Sequence, residues 1–490
     1  MSIPWEIREV KVDKSKFEFD SLKERDSKIS NLLLSLDKRI SLINAQKENF
    51  ENFKKGLLQQ MLIELKWLFM CAEKLVPKLR FNGFDEEWHQ SRFEDIYDIK
   101  NGLNKGKEYF GKGIQILNYM DVNKYELNTE NTIEGLVELS DEEIERYSVK
   151  PNDLFFTRTS ETSDEIGLTS AYIGNPIKCV FSGFLLRARP KVDLNSLFFA
   201  YYLRTPKQRN NIIKFSSITT RALISGGNLA KMKINLPSID EQNKIANLFV
   251  IIDKKVKLLE KKYQEYQDFK KYLMQQIFAQ KLRFNFDEEW KRVKLKDIVE
   301  RVTRKNTKLE TDLALTISAE YGLIDQEEFF NKIVASKSLK NYYLIKNGEF
   351  AYNKSYSNGY PYGAIKRLDD YPLGALSTLY ICFKPTNVNS DYLKEYFETT
   401  FWYKEIYSIA VEGARNHGLL NINVNDFFNT KHLIPPSKEE QKKIADFFKS
   451  INSKIDAVNN DLNLVKNFKK GLLQQMFIWW LEFSINMNYF

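Results

Sequence analysis

Residues 236–249 read LPSIDEQNKIANLF, and residues 434–448 read IPPSKEEQKKIADFF. Each stretch leads into a segment whose apolar residues are spaced alternately four and three apart, which is the heptad pattern of a coiled coil. The pattern predicts two equivalent helices of about 38 residues, each roughly 57 Å long. The apolar positions are Ile245, Phe249, Ile252, Val256, Leu259, Tyr263 and Tyr266 in the first copy, and Ile444, Phe448, Ile451, Ile455, Val458, Leu462 and Val465 in the second.

Both helices have recognisable start signals. Prolines precede each one, and Ser238 and Ser437 stand where an N-cap side chain would accept a backbone N–H. Each helix needs a partner for the same apolar seam, so we expect the two to pair as an antiparallel coiled coil; the alternative is ordinary core packing of each helix. The first turns also carry carboxylates, which the helix dipole favours, at Asp240, Glu241, Glu439 and Glu440.

Two further motifs repeat in the same order around these helices. FKKYLMQQI occupies residues 269–277, and FKKGLLQQM occupies both 468–476 and 53–61. LRFNGFDEEW at 79–88 is matched by LRFNFDEEW at 282–290, and its tryptophan, Trp88 or Trp290, is expected to anchor the following strand in a core. The chain is therefore a tandem duplication with a period of about 200 residues.

Length and composition narrow the class of protein. A chain of 490 residues suggests about three domains, and its net charge of +9 permits nucleic-acid binding without proving it. Three cysteines and three histidines are scattered without CxxC or HxxxH spacing, which argues against a zinc site and fits a reducing cytosol. The N-terminus lacks the apolar core of a signal peptide, and charged or amide residues interrupt the apolar stretches. We expect a cytoplasmic protein with no membrane contact.

Two segments between the helices, Arg80–Leu236 and Arg283–Ile434, have a mixed α+β character. Short apolar runs predict strands at Leu154–Thr157 and Leu379–Phe383. Their interiors differ, because TRTSETSDEIG from Thr157 has no obvious counterpart in NKSYSNGYPYG from Asn353. Shared flanks with divergent interiors suggest one scaffold that carries two different readers. Helical patterns in the same segments predict helices at Leu197–Leu203 and Tyr392–Tyr403.

Through these motifs the chain resembles the specificity subunit of Type I restriction–modification systems. VPKLRFNGFDEEW, LPSIDEQNKIANLF and FKKGLLQQMF carry the resemblance, which covers about Met70–Ile478 in the family's order. It implies an α+β fold in which two mixed α/β target-recognition domains are separated by long conserved helices that form an antiparallel coiled coil. Each domain would read one short half-site in double-stranded DNA, with an unread spacer between the half-sites.

The resemblance also implies partners. Two methylation subunits would dock on the helices and would themselves bind S-adenosylmethionine, so this chain would need no cofactor of its own. Restriction (translocase) subunits would be recruited through them. The division of the chain that follows is an extra helical segment at 1–69, target-recognition domain 1 at 70–236, a central conserved helix at 237–280, target-recognition domain 2 at 281–434, a C-terminal conserved helix at 435–480 and a tail at 481–490.

Reading a base requires side chains with fixed donors and acceptors, such as Arg for guanine, Asn or Gln for adenine, and Ser or Thr for either. Two loops in each domain are rich in these residues; the alternative is polar surface loops with no ligand. In the first domain the candidate DNA-binding residues are Thr157, Arg158, Thr159, Ser160, Thr219, Thr220 and Arg221. In the second domain they are Asn353, Lys354, Ser355, Tyr356, Ser357, Asn358, Tyr360, Arg415, Asn416 and His417.

Other residues near these loops suit the DNA backbone. Gly226–Gly227 and Gly413 would let the main chain approach a phosphate closely. A set of lysines would bind phosphate without reading sequence, with simple solvation as the alternative. These are Lys105, Lys107, Lys112, Lys305 and Lys308.

No catalytic motif accompanies these features. The nearest string to a methyltransferase Asn/Asp-Pro-Pro-aromatic motif is GNPI at 174–177, which lacks the second proline and the aromatic residue. No GxxxxGK[ST] phosphate loop is present, and His417 has no second histidine or acidic cluster at metal-ligand spacing. We therefore expect a non-catalytic protein without a metal site. A structural coiled-coil protein, or a silent or degenerate specificity protein that reads no DNA, remains the alternative.

The first 69 residues depart from the family pattern. A helix seam at Ile29, Leu33, Leu36, Ile40 and Ile43 precedes the early copy of FKKGLLQQM. The segment resembles the C-terminal end of another specificity subunit fused upstream. The extra helix could displace the last helix from its coiled coil, join the coil as a third strand, or remain undocked, and the sequence leaves these three open.

Overall fold

The computed structural model describes residues 76–218, 221–332, 338–410 and 420–477. These residues divide into two compact units. The first unit comprises residues 76–260 together with 460–477, and the second comprises residues 261–459. The extra segment at 1–69 and the tail at 481–490 lie outside the described residues.

Two helices of 40 residues each contribute to both units. The central helix is Ile239–Phe278 and the C-terminal helix is Lys438–Phe477. The central helix gives its first part, up to Glu260, to the first unit and the remainder to the second unit. The C-terminal helix does the reverse and gives its last part, from Asn460, to the first unit. Each unit is therefore assembled from separate stretches of the chain.

The first unit contains β1 His89–Arg92, β2 Tyr97–Asn101, β3 Phe110–Leu117, β4 Leu127–Asn128, β5 Leu136–Val137, β6 Leu154–Thr157, β7 Thr159–Ser160, β8 Thr169–Tyr172, β9 Cys179–Phe181, β10 Leu185–Pro190, β11 Ser217–Ile218, β12 Ala222–Leu223 and β13 Lys233–Leu236. Its main sheet has the strand order β2-β10-β6-β8-β4, and the smaller sheets are β1-β13, β5-β3-β9 and β11-β12-β7. The short helices are Phe93–Ile96, Tyr119–Lys124, Asp141–Arg146, Ser196–Leu203, Pro206–Lys214 and Gly226–Ala230, with 3₁₀ turns at Lys107–Tyr109 and Ser163–Glu165.

The second unit contains β14 Lys291–Lys294, β15 Val299–Val302, β16 Ala314–Ser318, β17 Gly322–Asp325, β18 Tyr343–Lys346, β19 Phe350–Asn353, β20 Ala364–Arg367, β21 Leu373–Leu376, β22 Ile381–Pro385 and β23 Lys431–Ile434. Its sheets have the orders β15-β22-β19-β20, β17-β16-β21-β18 and β14-β23. The short helices are Leu295–Ile298, Gln326–Phe330, Ser390–Phe397, Tyr403–Ile409 and Val424–Asn429.

The two units share a strand order that their sequences do not reveal. The run β2-β10-β6-β8 in the first unit corresponds to β15-β22-β19-β20 in the second, and all pairings within these runs are antiparallel. The outer pair β1-β13 corresponds to β14-β23. The duplication therefore extends into the domain interiors, where the loops have diverged but the sheet has kept its topology.

The long helices begin and pack as their sequences predict. Ser238 Oγ accepts the Glu241 N–H at 3.4 Å, and Ser437 Oγ accepts the Glu440 N–H at 3.2 Å, so both serines are N-caps. Most seam residues are buried, with Ile245, Phe249, Ile252, Leu259 and Tyr266 at 7% exposure or less in the central helix. Burial of this stripe, rather than helix propensity, stabilises helices of this kind.

Within each unit the two helix segments run antiparallel. In the first unit Phe249 stacks on Phe477, while further along the central helix Glu260 pairs with Lys466 at 2.7 Å. Later residues of the central helix thus contact earlier residues of the C-terminal helix, as antiparallel helices do. In the second unit Phe278 stacks on Phe448, with ring centroids 6.2 Å apart, while Lys270, earlier on the central helix, shares the carboxylate of Glu395 with Asn452, which is later on the C-terminal helix. The expectation of an antiparallel pair therefore holds in each unit taken by itself.

Local predictions inside the domains are mostly confirmed, with one error. The strand predicted at Leu154–Thr157 is β6, and the helix predicted at Leu197–Leu203 is Ser196–Leu203. The strand predicted at Leu379–Phe383 lies two residues later, as β22.

The single helix predicted at Tyr392–Tyr403 is wrong. One helix ends at Phe397 and another begins at Tyr403. Thr399 Oγ1 donates to the Tyr396 carbonyl at 2.6 Å, and Trp402 Nε1 donates to the Phe397 carbonyl at 3.1 Å. These donors satisfy carbonyls at the helix end and so stop the helix there.

A buried glutamate joins the start of each long helix to the strand that opens its domain. Glu241 is fully buried and accepts two hydrogen bonds from Arg80, at 2.7 and 2.8 Å, and one from Trp88 Nε1 at 3.2 Å. Glu440 is also fully buried and accepts the equivalent bonds from Arg283, at 2.8 and 2.8 Å, and from Trp290 Nε1 at 3.0 Å. We call each set of arginine, tryptophan and glutamate a clamp.

The glutamine after each glutamate extends the clamp. Gln242 accepts the Asn195 N–H at 3.0 Å and donates to the Pro237 carbonyl at 3.0 Å. Gln441 makes the same pair of contacts in the second unit, at 2.8 Å each. The repeated Glu-Gln pair therefore has a structural role beyond the helix-dipole contribution expected for its carboxylate.

Removing the charge from one clamp should destabilise its unit. Glu241→Gln keeps the size of the side chain but leaves the Arg80 guanidinium without a counter-charge. We expect the free energy of unfolding of the first unit to fall by about 3 kcal/mol, the range for breaking a buried ion pair. Urea denaturation of the full chain, followed by circular dichroism, measures the change. The neighbouring exposed carboxylate provides the control, Asp240→Asn, which should cost under about 1 kcal/mol. Equal losses in the two variants would contradict the assignment.

The buried His432 should make the second unit sensitive to acid. It lies between Tyr396 Oη at 2.9 Å and Thr430 Oγ1 at 2.8 Å, and burial lowers its pKa to about 4. An unfolded histidine has a pKa of about 6.5, so the unfolded chain takes up the proton first as the pH falls. Stability from this residue is complete above about pH 6.5 and falls towards pH 4, by on the order of 3 kcal/mol.

The variant His432→Gln isolates this effect because glutamine cannot become charged. Unfolding free energies at about pH 7 and about pH 4.5 should show a smaller acid-induced loss in the variant than in the wild type. The same loss in both proteins would show that His432 does not carry the sensitivity.

Candidate nucleic-acid interface

The first domain brings its two predicted DNA-reading loops together in one small sheet. Strand β7 pairs with β12, and β12 pairs with β11, so Thr159 lies opposite Leu223 and Ser160 lies opposite Ala222. The two loops are about 60 residues apart in the chain, and the sequence alone does not predict this pairing. Thr219 and Thr220, at the tip of the second loop, lie outside the described residues.

Two hydroxyls of the first loop are used within the loop. Thr157 is fully buried, and its Oγ1 donates to the Glu165 carbonyl at 2.5 Å and accepts the Leu168 N–H at 2.9 Å. Ser160 is 5% exposed, and its Oγ accepts the Thr162 N–H at 3.2 Å. In this conformation these two side chains shape the loop and are not presented to a ligand.

Arg158 has a fixed main chain and a side chain with spare donors. Its N–H donates to the Phe184 carbonyl at 2.8 Å, and its carbonyl accepts the Ile224 N–H at 3.0 Å. One guanidinium nitrogen reaches the Gly183 carbonyl at 3.4 Å, and the buried Nε has no hydrogen-bond partner. The Nε is out of reach of a ligand in this conformation, but the other guanidinium nitrogens make only this one long hydrogen bond and so retain donors that an acceptor could meet.

Two neighbouring arginines are held more firmly than Arg158. Arg189 donates twice to Asp153, at 2.7 Å each, and Arg204 donates to the Thr169 carbonyl at 2.6 Å. Both side chains are held within the domain by firm contacts. Arg187 and Arg209 each leave one buried guanidinium nitrogen without a partner, as Arg158 does, so the feature that distinguishes Arg158 is its place at a cleft.

Arg158 lines a cleft of about 470 Å³ in the first unit. Lys100 and Lys191 contribute positive charge to its wall, and Glu94 and Asp98 contribute negative charge. Gly226 and Gly227, expected to allow close approach of the main chain, line the same cleft, together with Tyr97, Ile99, Asn101, Ser225 and Ala230.

Exposed side chains surround this part of the domain. Arg221 is 70% exposed, with Glu161 at 3.8 Å, and Ile218 on β11 is 59% exposed. Phe184, whose carbonyl holds Arg158, is 61% exposed. The Phe184 side chain is therefore accessible to a partner near the first predicted loop. Sequence reasoning missed Phe184, although its place after Ser182–Gly183 marks it as a turn residue.

The second domain places its first predicted loop after β19. Asn353 Oδ1 accepts the Ser355 N–H at 3.0 Å, and Ser357 and Tyr360 close a tight turn by exchanging backbone hydrogen bonds at 3.3 and 2.9 Å. Tyr356 is 60% exposed and Asn358 is also exposed. The second predicted loop, with Arg415, Asn416 and His417, lies outside the described residues.

The first loops of the two domains occupy equivalent places, which their sequences hide. Strand β6 ends at Thr157 and β19 ends at Asn353, and these are the corresponding strands of the two sheets. Arg158 and Lys354 follow directly, and the Lys354 carbonyl accepts the Leu420 N–H at 2.9 Å. A basic residue thus directly follows the equivalent strand in both units, while the residues of the loop after it differ.

The lysines suggested for phosphate contact have varied surroundings. Lys105 pairs with Glu143 at 2.5 Å, and this hydrogen bond raises the lysine pKa. Lys112 pairs with Glu138 at 2.7 Å, and Lys305 donates to the Asn341 carbonyl at 2.9 Å. Lys107 and Lys308 are exposed. Of the five lysines, these two are the ones exposed in this conformation with no ion pair or hydrogen bond described for their side chains.

No group of three His, Cys, Asp or Glu side chains in the described ranges is placed to hold a metal ion. Of the helices that the structure describes, none is long and apolar enough to cross a membrane.

The chain resembles known proteins in sequence and fold. Residues 85–267 match the family model described as the Type I restriction modification DNA specificity domain. The curated Type I restriction enzyme MjaVIII specificity subunit of Methanocaldococcus jannaschii is 23% identical over 264 residues, which is 53% of this chain and 60% of the relative. The aligned part is thus less than two thirds of that relative.

A solved structure shares the fold. The S subunit of the Type I restriction–modification system from M. genitalium superposes with a TM-score of 0.50 at 16% identity, covering 82% of this chain and 99% of that one. Residues 85–267 thus resemble a Type I restriction modification DNA specificity domain, and the chain shares its fold with the S subunit from M. genitalium.

Proposed function

We propose that this chain is the DNA-reading subunit of a Type I restriction–modification complex. It recognises an asymmetric two-part target and directs the methylation and restriction subunits, and it catalyses no reaction itself. The observation that carries the proposal is the equivalence of Arg158 and Lys354. Each follows the corresponding strand of its sheet and begins a loop rich in hydroxyl, amide or aromatic groups. The match of residues 85–267 to the Type I restriction modification DNA specificity domain supports the same conclusion.

The first domain reads its half-site with the loops that meet on β7, β11 and β12. Arg158 and Arg221 supply guanidinium donors, which suit guanine O6 and N7, and Thr159, Thr219 and Thr220 supply hydroxyls. Thr157 and Ser160, whose hydroxyls are engaged inside the loop, position these groups. Exposed Phe184 offers an apolar surface, of the kind that can contact a thymine methyl group.

The second domain reads a different half-site. Lys354 offers a single point charge where Arg158 offers a planar fork, and the two are not interchangeable in base recognition. Tyr356 and Asn358 extend from the exposed turn, and Arg415, Asn416 and His417 add donors from the other loop. Because the two reader surfaces differ chemically, the target is asymmetric, whereas two identical readers would favour a palindrome.

The complex acts in the cytoplasm on double-stranded DNA. Two methylation subunits dock on the long helices and supply S-adenosylmethionine, and restriction subunits join through them. This chain contributes affinity and selectivity, and the exposed lysines Lys107 and Lys308 add phosphate contacts that depend on salt.

Mapping N6-methyladenine tests the proposal. The chain is co-expressed with its neighbouring methylation subunit in a methylation-deficient host, and modified adenines are located genome-wide. We expect one asymmetric bipartite motif that disappears when this chain is omitted. A complex that assembles but leaves the genome unmethylated, and that binds no DNA in a titration, would refute a reading function.

Single substitutions assign the half-sites. Arg158→Gln should relax one position of one half-site, with a loss of about 1–3 kcal/mol of discrimination, because the guanidinium donors are gone. Lys354→Gln should alter the other half-site only. Lys107→Gln is the matched control, which should weaken binding to all sequences and reduce its salt dependence. If Arg158→Gln leaves the motif unchanged while the wild type methylates normally, Arg158 is not a reader.

A further inference from the structure

An apolar stripe lies on the outer face of the coiled coil in the first unit. Ile251 and Leu258 on the central helix are 51% and 50% exposed, and Leu464 on the C-terminal helix is 62% exposed. Ile251 and Leu258 are seven residues apart and so share one face of their helix. None belongs to the heptad seam, and Leu464 holds the same heptad position on its own helix as they do on theirs.

A charge pair joins the two helices within this stripe. Lys255 lies one turn from both Ile251 and Leu258, and burial lowers its pKa while the charge of Asp461 opposes that shift. Asp461 is three residues, or one turn, before Leu464. Because the two helices run antiparallel and the three exposed residues hold the same heptad position, they lie on the same side of the coil, and Lys255 and Asp461 lie on that side too.

The domain of the first unit does not cover this side. It contacts the coil at Asp253, whose carboxylate accepts a hydrogen bond from Tyr201 at 2.7 Å, and at Lys469, which pairs with Glu126 at 2.8 Å. The stripe remains in water, although exposed apolar surface of this kind usually marks a binding site.

The equivalent face in the second unit has no stripe. The duplication places Ser450 at the position of Ile251, Ala457 at that of Leu258 and Glu265 at that of Leu464. The apolar face is therefore not a requirement of the coiled coil. It is a property of one copy only.

The chain contains one extra helix seam, at Leu33, Leu36, Ile40 and Ile43. As a copy of the C-terminal helix, this segment is a candidate to replace it. The structure argues against replacement in the second unit, because the position of the buried Glu440 is held by Arg25 in the copy. An arginine there would face Arg283 and would lose the clamp.

Replacement in the first unit is disfavoured for a similar reason. Leu462, buried in the seam, corresponds to Lys47, and Lys466, which pairs with Glu260, corresponds to Glu51. The swap would bury a lysine and turn an attraction into a repulsion between two glutamates. The N-terminal copy thus keeps an apolar face that neither groove accepts.

We propose that residues 33–43 dock on the stripe formed by Ile251, Leu258 and Leu464, as a third strand of the coiled coil in the first unit. The apolar seam of residues 33–43 needs an apolar partner, and the stripe is an exposed apolar surface found in one unit only. The connection also reaches: the chain rejoins the first unit where the Leu79 N–H donates to the Gln475 carbonyl at 3.1 Å. The 32 residues between Ile43 and Val76 could span up to about 110 Å if extended. The tether raises the effective concentration of the segment far above that of a free partner.

Hydrogen exchange of the purified full chain tests the proposal. The variant Ile251→Ser, Leu258→Ala and Leu464→Glu gives the first unit the face that the second unit already carries, so it should fold. We expect amides of residues 33–43 to exchange at least about tenfold faster in this triple variant than in the wild type. Amides of the seam, from Ile245 to Tyr266, should exchange equally in both.

The control substitution is Lys257→Ala, on the exposed surface of the same helix but outside the stripe, which should leave exchange at 33–43 unchanged. Equal exchange of residues 33–43 in wild type and triple variant overturns the proposal, whether the amides are protected or not. Rapid exchange of amides 462–477 in the wild type would mean that the C-terminal helix has been displaced from the coil, which would also overturn the proposal. A wild-type sedimentation mass of two chains that falls to one in the triple variant would identify a second copy as the occupant and also overturn the proposal.

Discussion

The structure depends on a buried glutamate at the first turn of each long helix. Glu241 holds Arg80 and Trp88 and so ties the strand that begins the domain to the helix that follows it, across about 150 residues of chain. Glu440 does the same in the second unit. An uncompensated charge in such a place is costly, so the fold succeeds only when arginine, tryptophan and glutamate meet together. The constraint fixes both ends of each domain, and the loops between them are free to diverge.

A second polar contact shows how the duplicated units diverged without losing their packing. In the first unit Lys469 pairs with Asp253 at 2.7 Å, and although burial opposes its charge, Glu126 and Asp253 raise the pKa of the lysine. In the second unit Lys270, from the same repeated motif, pairs with Glu395 at 3.2 Å. In the first unit the lysine thus pairs with a carboxylate of the long helix and, at 2.8 Å, with Glu126 of the domain, whereas in the second unit its carboxylate partner belongs to the domain. The partly buried lysine keeps a carboxylate partner in both units, as a buried charge requires.

The same division between scaffold and variable surface organises the candidate site. Arg158 and Lys354 directly follow corresponding strands of the two sheets and so occupy equivalent positions. Packing of the sheet requires the same strand in both units, but it places no such requirement on the side chains that follow the strand. In the first domain the hydroxyls of Thr157 and Ser160 make hydrogen bonds within the loop and fix its conformation. Arg158 keeps donors in reserve at the wall of a cleft. Function in such a protein lies in the few groups that the fold leaves unsatisfied, which is why a rigid scaffold can carry different readers.

The duplication, the two long helices, their N-caps and their seam follow from the sequence alone, because heptad spacing and capping are local properties of consecutive residues. It also located the loops in which Arg158 and Lys354 lie, and Trp88 as a core anchor. It could not show that Glu241 is a buried acceptor, because its partner Arg80 is far away in the chain and a first-turn glutamate has an ordinary local explanation. Nor could it show that the two domain interiors share a strand order. Strand pairing joins residues that are distant in the chain, and the divergent loops obscure the similarity when the two domain sequences are aligned. Which polar side chains already have hydrogen-bond partners, and which are free to bind a ligand, depends on contacts between distant parts of the chain and is seen only in the folded protein.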